Sequence, residues 1–311
     1  MIRNIPPSLK PTVAARPLVG AFSLVVLLLF LSFRILGQDN DEILIDSSVV
    51  IINASITNSK GGNAAGLRKE QFKVFEDGVE QRIEYFSSEE TPFATVILLD
   101  TSGSMQERVS MARAAAIRFL DGLRESDSAA IYRFDSKISL VQPFSNSRDI
   151  AEAAFDLKAD GMTRMNDAIH QAAVELSKRE EKRRAIIVLS DGQDTMSNRP
   201  SDRALRSAMA ADIAIYTIDM SPTGDAKRVQ NQAVLKNLAE KSGGTFVLTP
   251  GGAAMREAFE KIVAELVQQY TLGYSPLNTK RDGKWRAIEL RVAKPDLNIR
   301  TRKGYNAEKS K

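Results

Sequence analysis

The chain contains no cysteine and only one histidine among its 311 residues. Without cysteine, disulfide bonds and thiolate metal sites are excluded. A zinc site built from several histidines is excluded as well, and any serine–histidine pair would depend on His170 alone. Any metal site in this chain would therefore have to be built mainly from oxygen-bearing side chains.

Acidic side chains are missing from residues 1–38. The basic residues of this segment are Arg3, Lys10, Arg16 and Arg34. The rest of the chain, residues 39–311, holds equal numbers of basic and acidic side chains, so the basic pI comes from the leader. This balance gives no overall electrostatic reason to bind nucleic acid, and none is expected as a partner.

The longest apolar run, Leu18 to Phe33, is short for a helix that crosses a bilayer. Basic residues precede it, as in a secretory signal peptide. Cleavage is expected, but Arg34 follows the run and no clean small-x-small site is present. The alternative is an uncleaved membrane tether through residues 18–33. Residues 1–38 are therefore predicted to be a signal peptide or an N-terminal membrane anchor. On either reading the body should be exported, to the periplasm, the extracellular space or the outer face of a membrane.

Apolar strands alternate with amphipathic helices from residue 93 to 269, with no Rossmann glycine fingerprint or Walker A sequence in the turns. This alternation predicts an α/β domain with a doubly wound, mostly parallel sheet covered by helices on both faces. The predicted helices cover residues 107–124, 148–157, 166–180, 201–211, 228–241 and 253–269.

Strand-like sequence flanks this unit on both sides. Residues 72–86 read as two strands joined by the hairpin signal Asp77-Gly78. The other predicted flanking strands lie within residues 43–57, 270–276, 284–293 and 298–305. Neither flank alone offers enough apolar surface for a stable core. We therefore expect residues 39–92 and 270–311 to form one discontinuous, small β-sandwich-like domain, into which the α/β domain of residues 93–269 is inserted.

Two strongly apolar strands run into aspartates, Asp100 and Asp191. In open α/β sheets, the carboxyl ends of strands meet at the point where the strand order reverses. Two carboxylates there would repel each other unless a cation lay between them. Ser102 and Ser104 add hydroxyl oxygens beside Asp100, and the loop before the next helix offers Thr163. Hard oxygen donors of this kind predict a site for Mg²⁺, or alternatively Mn²⁺ or Ca²⁺.

These residues carry a resemblance to a known family. The stretch "DTSGSM" (100–105) resembles the D-x-S-x-S motif of von Willebrand factor A domains. "GMT" (161–163) resembles their threonine loop, and "LSDGQDT" (189–195) their second-aspartate loop. The flanks are similar to those of exported bacterial proteins described as having a von Willebrand factor A-related domain. In the family, the three motifs form a metal-ion-dependent adhesion site.

The resemblance also implies roles for the five residues. Ser102 and Ser104 would bind the metal directly, and Thr163 directly or through water. Asp100 and Asp191 would act mostly through water and through hydrogen bonds to the serines.

The function implied is an exported adhesion or assembly module, not an enzyme, in which an Asp or Glu of a protein partner completes the coordination of the metal. One alternative is a metal-dependent hydrolase or phosphotransferase. Against it, Ser102 stands where a phosphotransferase would usually carry a second acid, and His170 is a weak candidate for a general base. A third reading is a scaffold with a purely structural metal site, and a fourth has the serines merely capping a helix. His170 is expected to be structural, and Asp194 and Thr195 to be loop residues.

Overall fold

The computed structural model describes residues 49–146, 157–221, 228–248, 253–307 and 309. The predicted leader and most of the predicted helix at 148–157 lie outside these residues. In the part of the chain that is described, no helix combines the length and the apolar composition needed to cross a membrane.

The described residues form fourteen strands and five α-helices. The strands are β1 (Val50–Asn58), β2 (Phe72–Glu76), β3 (Val79–Gln81), β4 (Tyr85–Ser87), β5 (Phe93–Asp100), β6 (Ser128–Phe134), β7 (Ile138–Ser145), β8 (Arg183–Ser190), β9 (Ile213–Asp219), β10 (Phe246–Leu248), β11 (Tyr270–Tyr274), β12 (Trp285–Val292), β13 (Leu297–Arg300) and β14 (Gly304–Asn306). The helices are α1 (Val109–Asp121), α2 (Met165–Ser177), α3 (Ser201–Ala210), α4 (Arg228–Ser242) and α5 (Ala253–Val267). Short 3-10 turns lie at Lys69–Gln71 and Gly103–Met105.

The central sheet has six strands in the order β10-β9-β8-β5-β6-β7, and all neighbours are parallel except β6 and β7. Every residue of β5 is buried, as expected for a strand with helices over both faces. Helices α1 and α5 contribute to the hydrophobic core on one face, and α2, α3 and α4 to the core on the other. The predicted doubly wound, mostly parallel α/β fold is confirmed.

Strands from both flanks combine into two four-stranded sheets, in the orders β13-β1-β11-β4 and β14-β12-β2-β3. Every pairing within them is antiparallel. One hydrophobic cluster takes residues from both sheets, including Ile52, Val74, Leu272 and Leu290. The two flanks therefore share one core, since neither sheet is built from one flank alone.

Two of the predicted flanking strands are each divided in the structure. The hairpin turn at Asp77-Gly78 is present between β2 and β3, but the second strand of the predicted hairpin is split, with β3 in one sheet and β4 in the other. The stretch 298–305 is divided between β13 and β14 in the same way. In each case the chain leaves one sheet and joins the other within a few residues. The prediction of an unbroken strand was wrong in both places because the apolar pattern does not reveal such a change of sheet.

Arg183, at the start of β8, joins the α/β part to the flanking sheets. Its buried guanidinium donates to the carbonyl oxygens of Leu266 and Val267 at the end of α5. It also donates to those of Glu89 and Gln269, which lie in the two connections between the parts. One side chain thus satisfies four backbone acceptors where the chain passes from one part to the other.

Glu265, on α5, provides a second buried connection. Its carboxylate accepts from the Ser55 and Tyr216 hydroxyls at 2.8 Å each and pairs with Arg300. Ser55 belongs to β1 and Arg300 to β13. These bonds fix the end of α5 against the flanking sheet that contains both strands.

Candidate metal centre

The strand order places the two aspartates side by side. Strand β5 lies between β8 and β6. The strands β6 and β7 are added on one side of β5, and β8, β9 and β10 on the other, so the strand order reverses at β5. In the parallel register, Leu99 is opposite Leu189, so Asp100 and Asp191 both follow at the same edge of the sheet. Asp191 comes directly after the last residue of β8. The structure therefore brings together the two carboxylates that the sequence singled out.

Asp100 is completely buried and has a full set of hydrogen bonds. Its Oδ1 accepts from the Ser102 backbone N–H at 2.9 Å and from the Ser102 hydroxyl at 2.6 Å. Its Oδ2 accepts from the Ser190 hydroxyl at 2.6 Å. Burial, with a smaller contribution from the nearby charge of Asp191, raises the pKa of Asp100 to about 6 against the lowering effect of these hydrogen bonds. A neighbouring cation would favour the ionised form.

The two serines occupy the 3-10 turn that follows β5. Ser102 is buried, Ser104 is exposed, and their hydroxyl oxygens lie 3.2 Å apart. Ser102 stands at the N-cap position of the turn but makes no side-chain capping bond, because its hydroxyl donates to Asp100 instead. Capping alone therefore does not explain the serines, and Ser104 presents a second hydroxyl at the surface.

Thr163 is joined to the other motifs through backbone bonds. Its N–H donates to the Thr195 hydroxyl at 2.9 Å, and its carbonyl accepts from the N–H groups of Thr195 and Met196. The Gly103 N–H donates to the Gly161 carbonyl at 3.1 Å, which links the threonine loop to the serine turn. The side chain of Thr163 is buried, and its hydroxyl makes no hydrogen bond to any described residue. That hydroxyl is thus an available oxygen donor.

The second-aspartate loop is held by its own turn and by Gly192. The Asp191 Oδ1 accepts from the Gln193 N–H at 3.0 Å, whereas its Oδ2 has only a long contact, 3.4 Å, with the Gln193 amide. Gly192 has a φ of +82°, and a Cβ there would lie 2.7 Å from the Asn231 carbonyl oxygen. A glycine is required because both the conformation and the space exclude a side chain.

Asp194 and Thr195, predicted as loop residues, connect two of the motifs. The Asp194 carboxylate accepts from the N–H of Asn166, in the first turn of α2, at 2.8 Å, and from the Ser197 N–H at 3.0 Å. It therefore acts as an acceptor at the N-terminus of α2 from outside the helix, a position where negative charge is stabilising. Together with Thr195, it holds the threonine loop beside the second-aspartate loop.

Two residues at this edge were missed by the sequence analysis. Ser190 donates to Asp100 and accepts from the Gly192 N–H at 3.0 Å, so it connects the two aspartate motifs. Asp219 ends β9 and is buried, with bonds from the Ser221 N–H and the Gln232 amide. Both are visible in the sequence as polar residues at the ends of apolar strands, which is the signal that identified Asp100.

The donor set suits a small hard cation. The predicted site has two carboxylates and three hydroxyls, all oxygen donors, as Mg²⁺ prefers. Among the described residues, no group of three or more His, Cys, Asp or Glu side chains is arranged to hold a metal. His170 is no part of this edge: its Nδ1 lies 2.8 Å from the Ser207 hydroxyl on α3. Residues that could hold Mg²⁺ are therefore Ser102, Ser104 and Thr163, supported by Asp100 and Asp191.

Comparisons with known proteins bear on this part of the chain. A family model described as von Willebrand factor type A domain matches residues 95–193. This range contains the first two motifs, the third as far as Gln193, and all five predicted site residues. An uncharacterized protein of Synechocystis sp., sll0103, is 28% identical over 180 residues, which are 55% of this chain and 42% of that protein. The chain thus spans less than half the length of this relative.

Several solved structures are similar to parts of the chain. A von Willebrand factor type A protein from Catenulispora acidiphila has a TM-score of 0.48 and 20% identity, covering 84% of this chain and 64% of that one. BatB from Bacteroides thetaiotaomicron has a TM-score of 0.48 and 18% identity, over 56% and 98% of the two chains. The PilB minor pilin from Streptococcus sanguinis has a TM-score of 0.47 and 16% identity, over 58% and 62%.

The family match, the order of the three motifs and the sheet topology agree with one another. The chain therefore contains a von Willebrand factor type A domain.

Proposed function

We propose that this protein is an exported, Mg²⁺-dependent protein-binding module that recognises an acidic residue of a partner. The observation that carries the proposal is that the serine turn is hydrogen-bonded to the threonine loop at the edge where β5 and β8 run into Asp100 and Asp191. Ser104 is exposed, and the Thr163 hydroxyl is free of hydrogen bonds to described residues. The site thus combines neutral hydroxyl oxygens, of which that of Ser104 belongs to an exposed residue, with the negative charge of two buried aspartates.

This distribution of charge favours binding over a closed structural site. Neutral hydroxyls leave most of a cation's charge uncompensated, and Asp100 is already occupied by hydrogen bonds from Ser102 and Ser190. When bound, Mg²⁺ would supply a coordination position that an external carboxylate can take. The chain's own residues position the serines, hold Asp100 in place and keep the threonine loop at the site.

The surroundings of the site suit a protein partner. Met162 is 50% exposed and Met196 39% exposed, and both lie beside Thr163, one next to it in the chain and the other bonded to its carbonyl. Methionine side chains adapt to varied apolar surfaces. We infer that the partner's Asp or Glu is flanked by apolar side chains that pack on these two methionines.

Export is the second part of the proposal. It is supported by the basic, acid-free leader and its apolar run from Leu18 to Phe33. A fusion of residues 1–60 to alkaline phosphatase tests it, because that enzyme needs disulfide bonds that form outside the cytoplasm. An active fusion supports export, and a fusion that is expressed but inactive contradicts it.

The metal site is tested by thermal unfolding of the purified protein with Mg²⁺, Mn²⁺ or chelator. We expect a rise in melting temperature with metal for the wild type, and a smaller rise for Thr163→Ala. Thr279→Ala, at an exposed threonine far along the chain, is the matched control and should respond as the wild type does. Equal responses in all three proteins would contradict the assignment of Thr163.

Ligand recognition is tested with two short peptides that differ only in a central Asp or Asn between leucines. Binding of the Asp peptide that requires Mg²⁺ and is lost in Asp100→Ala supports the proposal. Binding that is unchanged by chelator contradicts it.

The enzyme alternative is tested in parallel with phosphatase and esterase substrates. Turnover by the wild type above that of Ser102→Ala would favour the alternative.

A further inference from the structure

A second surface, away from the metal centre, has features of a binding site. A cleft of about 580 Å³ lies between α3 and the end of α4 on one side and strands β12 and β14 on the other. Its α/β side includes Leu205, Met209 and Lys241. Lys241 lies at the end of α4, where the next residue, Ser242, bonds to Ile215 near the start of β9. The cleft therefore lies near the amino ends of the parallel strands, whereas Asp100 lies at their carboxyl ends.

An exposed indole forms one wall of the cleft. Trp285 is 45% exposed and is the one tryptophan of the chain. It lies on β12 opposite Asn306 of β14, and its ring packs on the backbone at Gly304, where a Cβ would lie 2.4 Å from the ring. A large aromatic side chain held on a strand in this way loses little conformational entropy when it binds, which is a property of residues that dominate binding energies.

The floor of the cleft is apolar and its rim is basic. Leu205 and Met209 are almost completely buried beneath it. Arg206, Lys241 and Lys303 surround it with exposed side chains that have no ion-pair partner in the part of the chain that is described. The two lysines come from different parts of the fold, and the Lys303 N–H donates to the Lys241 carbonyl at 3.1 Å. Among the described lining residues, one acidic side chain, on α3, accompanies these three basic ones.

We propose that this cleft binds an acidic polypeptide segment that inserts an apolar side chain against Trp285. The three basic side chains of the rim would meet the acidic residues of the segment, and the floor formed by Leu205 and Met209 would receive its apolar residue. Binding here does not depend on the proposed metal centre, because none of the residues involved belongs to it.

A polypeptide fits the lining better than an anionic carbohydrate does. Recognition of a sugar needs several converging hydrogen-bonding groups for its hydroxyls, and Asn306 is the one uncharged polar side chain among the described residues of the lining. The apolar side chains of the floor cannot form hydrogen bonds with sugar hydroxyls. Burial of a leucine or phenylalanine side chain against them, in contrast, is favourable. The basic rim adds attraction that weakens with salt.

Trp285 also provides the assay. We would titrate the full chain, in chelator, with a short peptide in which Leu-Phe is flanked by two glutamates on each side, and follow tryptophan fluorescence. Comparison probes are the same peptide with lysines in place of glutamates, and polygalacturonate. The variants are Lys241→Glu with Lys303→Glu, and Lys60→Glu as an exposed charge reversal elsewhere.

We expect a saturable fluorescence change with the acidic peptide, weakened about tenfold or more by the double reversal and unchanged by Lys60→Glu. Retained circular dichroism of the double variant shows that the loss is not a failure to fold. The proposal is overturned by a missing change with the acidic peptide, by equal binding of the lysine peptide, or by insensitivity to the double reversal. Binding of polygalacturonate without binding of the peptide would overturn it in favour of a carbohydrate. Use of chelator keeps a failure here distinct from a failure of the metal site.

Discussion

Replacing Asp100 with asparagine should stabilise the metal-free protein while removing its response to Mg²⁺. In the folded protein, burial raises the pKa of this carboxyl from 3.8 to about 6. A raised pKa means that the ionised form is less stable in the folded state than in the unfolded chain. The difference of about two pKa units corresponds to about 3 kcal/mol at neutral pH. Asparagine has nearly the same shape and carries no charge, so it avoids this cost. Its amide oxygen can still accept from Ser102, but its NH₂ group cannot accept from the Ser190 hydroxyl, and the loss of that hydrogen bond offsets about 1 kcal/mol of the gain.

The sign of the pH dependence follows from the same two values. Between pH 4 and pH 6 the folded state binds more protons at Asp100 than the unfolded state does, so stability falls as pH rises through this range. Below pH 4 both states are protonated and the cost vanishes. Above pH 6 both are ionised and the cost is complete. The stability gained by Asp100→Asn should therefore be larger at pH 7.5 than at pH 4 by about 2–3 kcal/mol, because the hydrogen bond lost in the variant weighs about equally at both pH values.

Urea unfolding in chelator, at both pH values and for both proteins, measures this difference. Taking the difference between variant and wild type cancels the titration of other groups. Repeating the series with Mg²⁺ should stabilise the wild type alone. A variant that is no more stable than the wild type at pH 7.5 in chelator, or a difference that is the same at both pH values, would refute the reasoning.

Three further substitutions test the supports of the site and of the fold. Asp194→Ala should lower the free energy of unfolding by about 1 kcal/mol, because it removes the acceptor for the Asn166 N–H. The same substitution should weaken the Mg²⁺-dependent rise in melting temperature. The control Asp202→Ala should leave that rise intact. Gly192→Ala should cost about 1–3 kcal/mol in urea unfolding, because a Cβ there meets a backbone carbonyl at a positive φ. Arg183→Met should cost about 3 kcal/mol or more by the same measurement, since it leaves buried carbonyls without a donor; a cost below about 1 kcal/mol would show that water replaces the guanidinium.

The α/β fold could be predicted because its strands are marked twice, by continuous apolar runs and by the polar residues that end them. Strand β5 is buried along its whole length, so its sequence has no alternation and cannot be mistaken for a half-exposed strand. The flanking strands gave less information. The break between β13 and β14 is set by their partners, because β13 pairs with β1 in one sheet and β14 pairs with β12 in the other. The local sequence does not show with which strand each segment will pair.

The candidate site divides in a similar way. Asp100, Ser102 and Ser104 lie within five residues, so their proximity follows from the chain itself. The contribution of Ser190 depends on the register between β5 and β8, which becomes known only when the strands are paired. The role of Asp194 at the start of α2 likewise depends on two loops meeting in space.

The pairing of β1 with β11 determines how the protein would carry mechanical load. These strands are antiparallel, with Val50 opposite Tyr274 and Ala54 opposite Tyr270. The chain enters β1 at one end of this pair, and α5 leads into β11 at the other. A pulling force between the start of β1 and the α/β domain therefore acts along the strands in shear, so that all their hydrogen bonds resist together. Such a joint withstands tension far better than one whose bonds open one at a time.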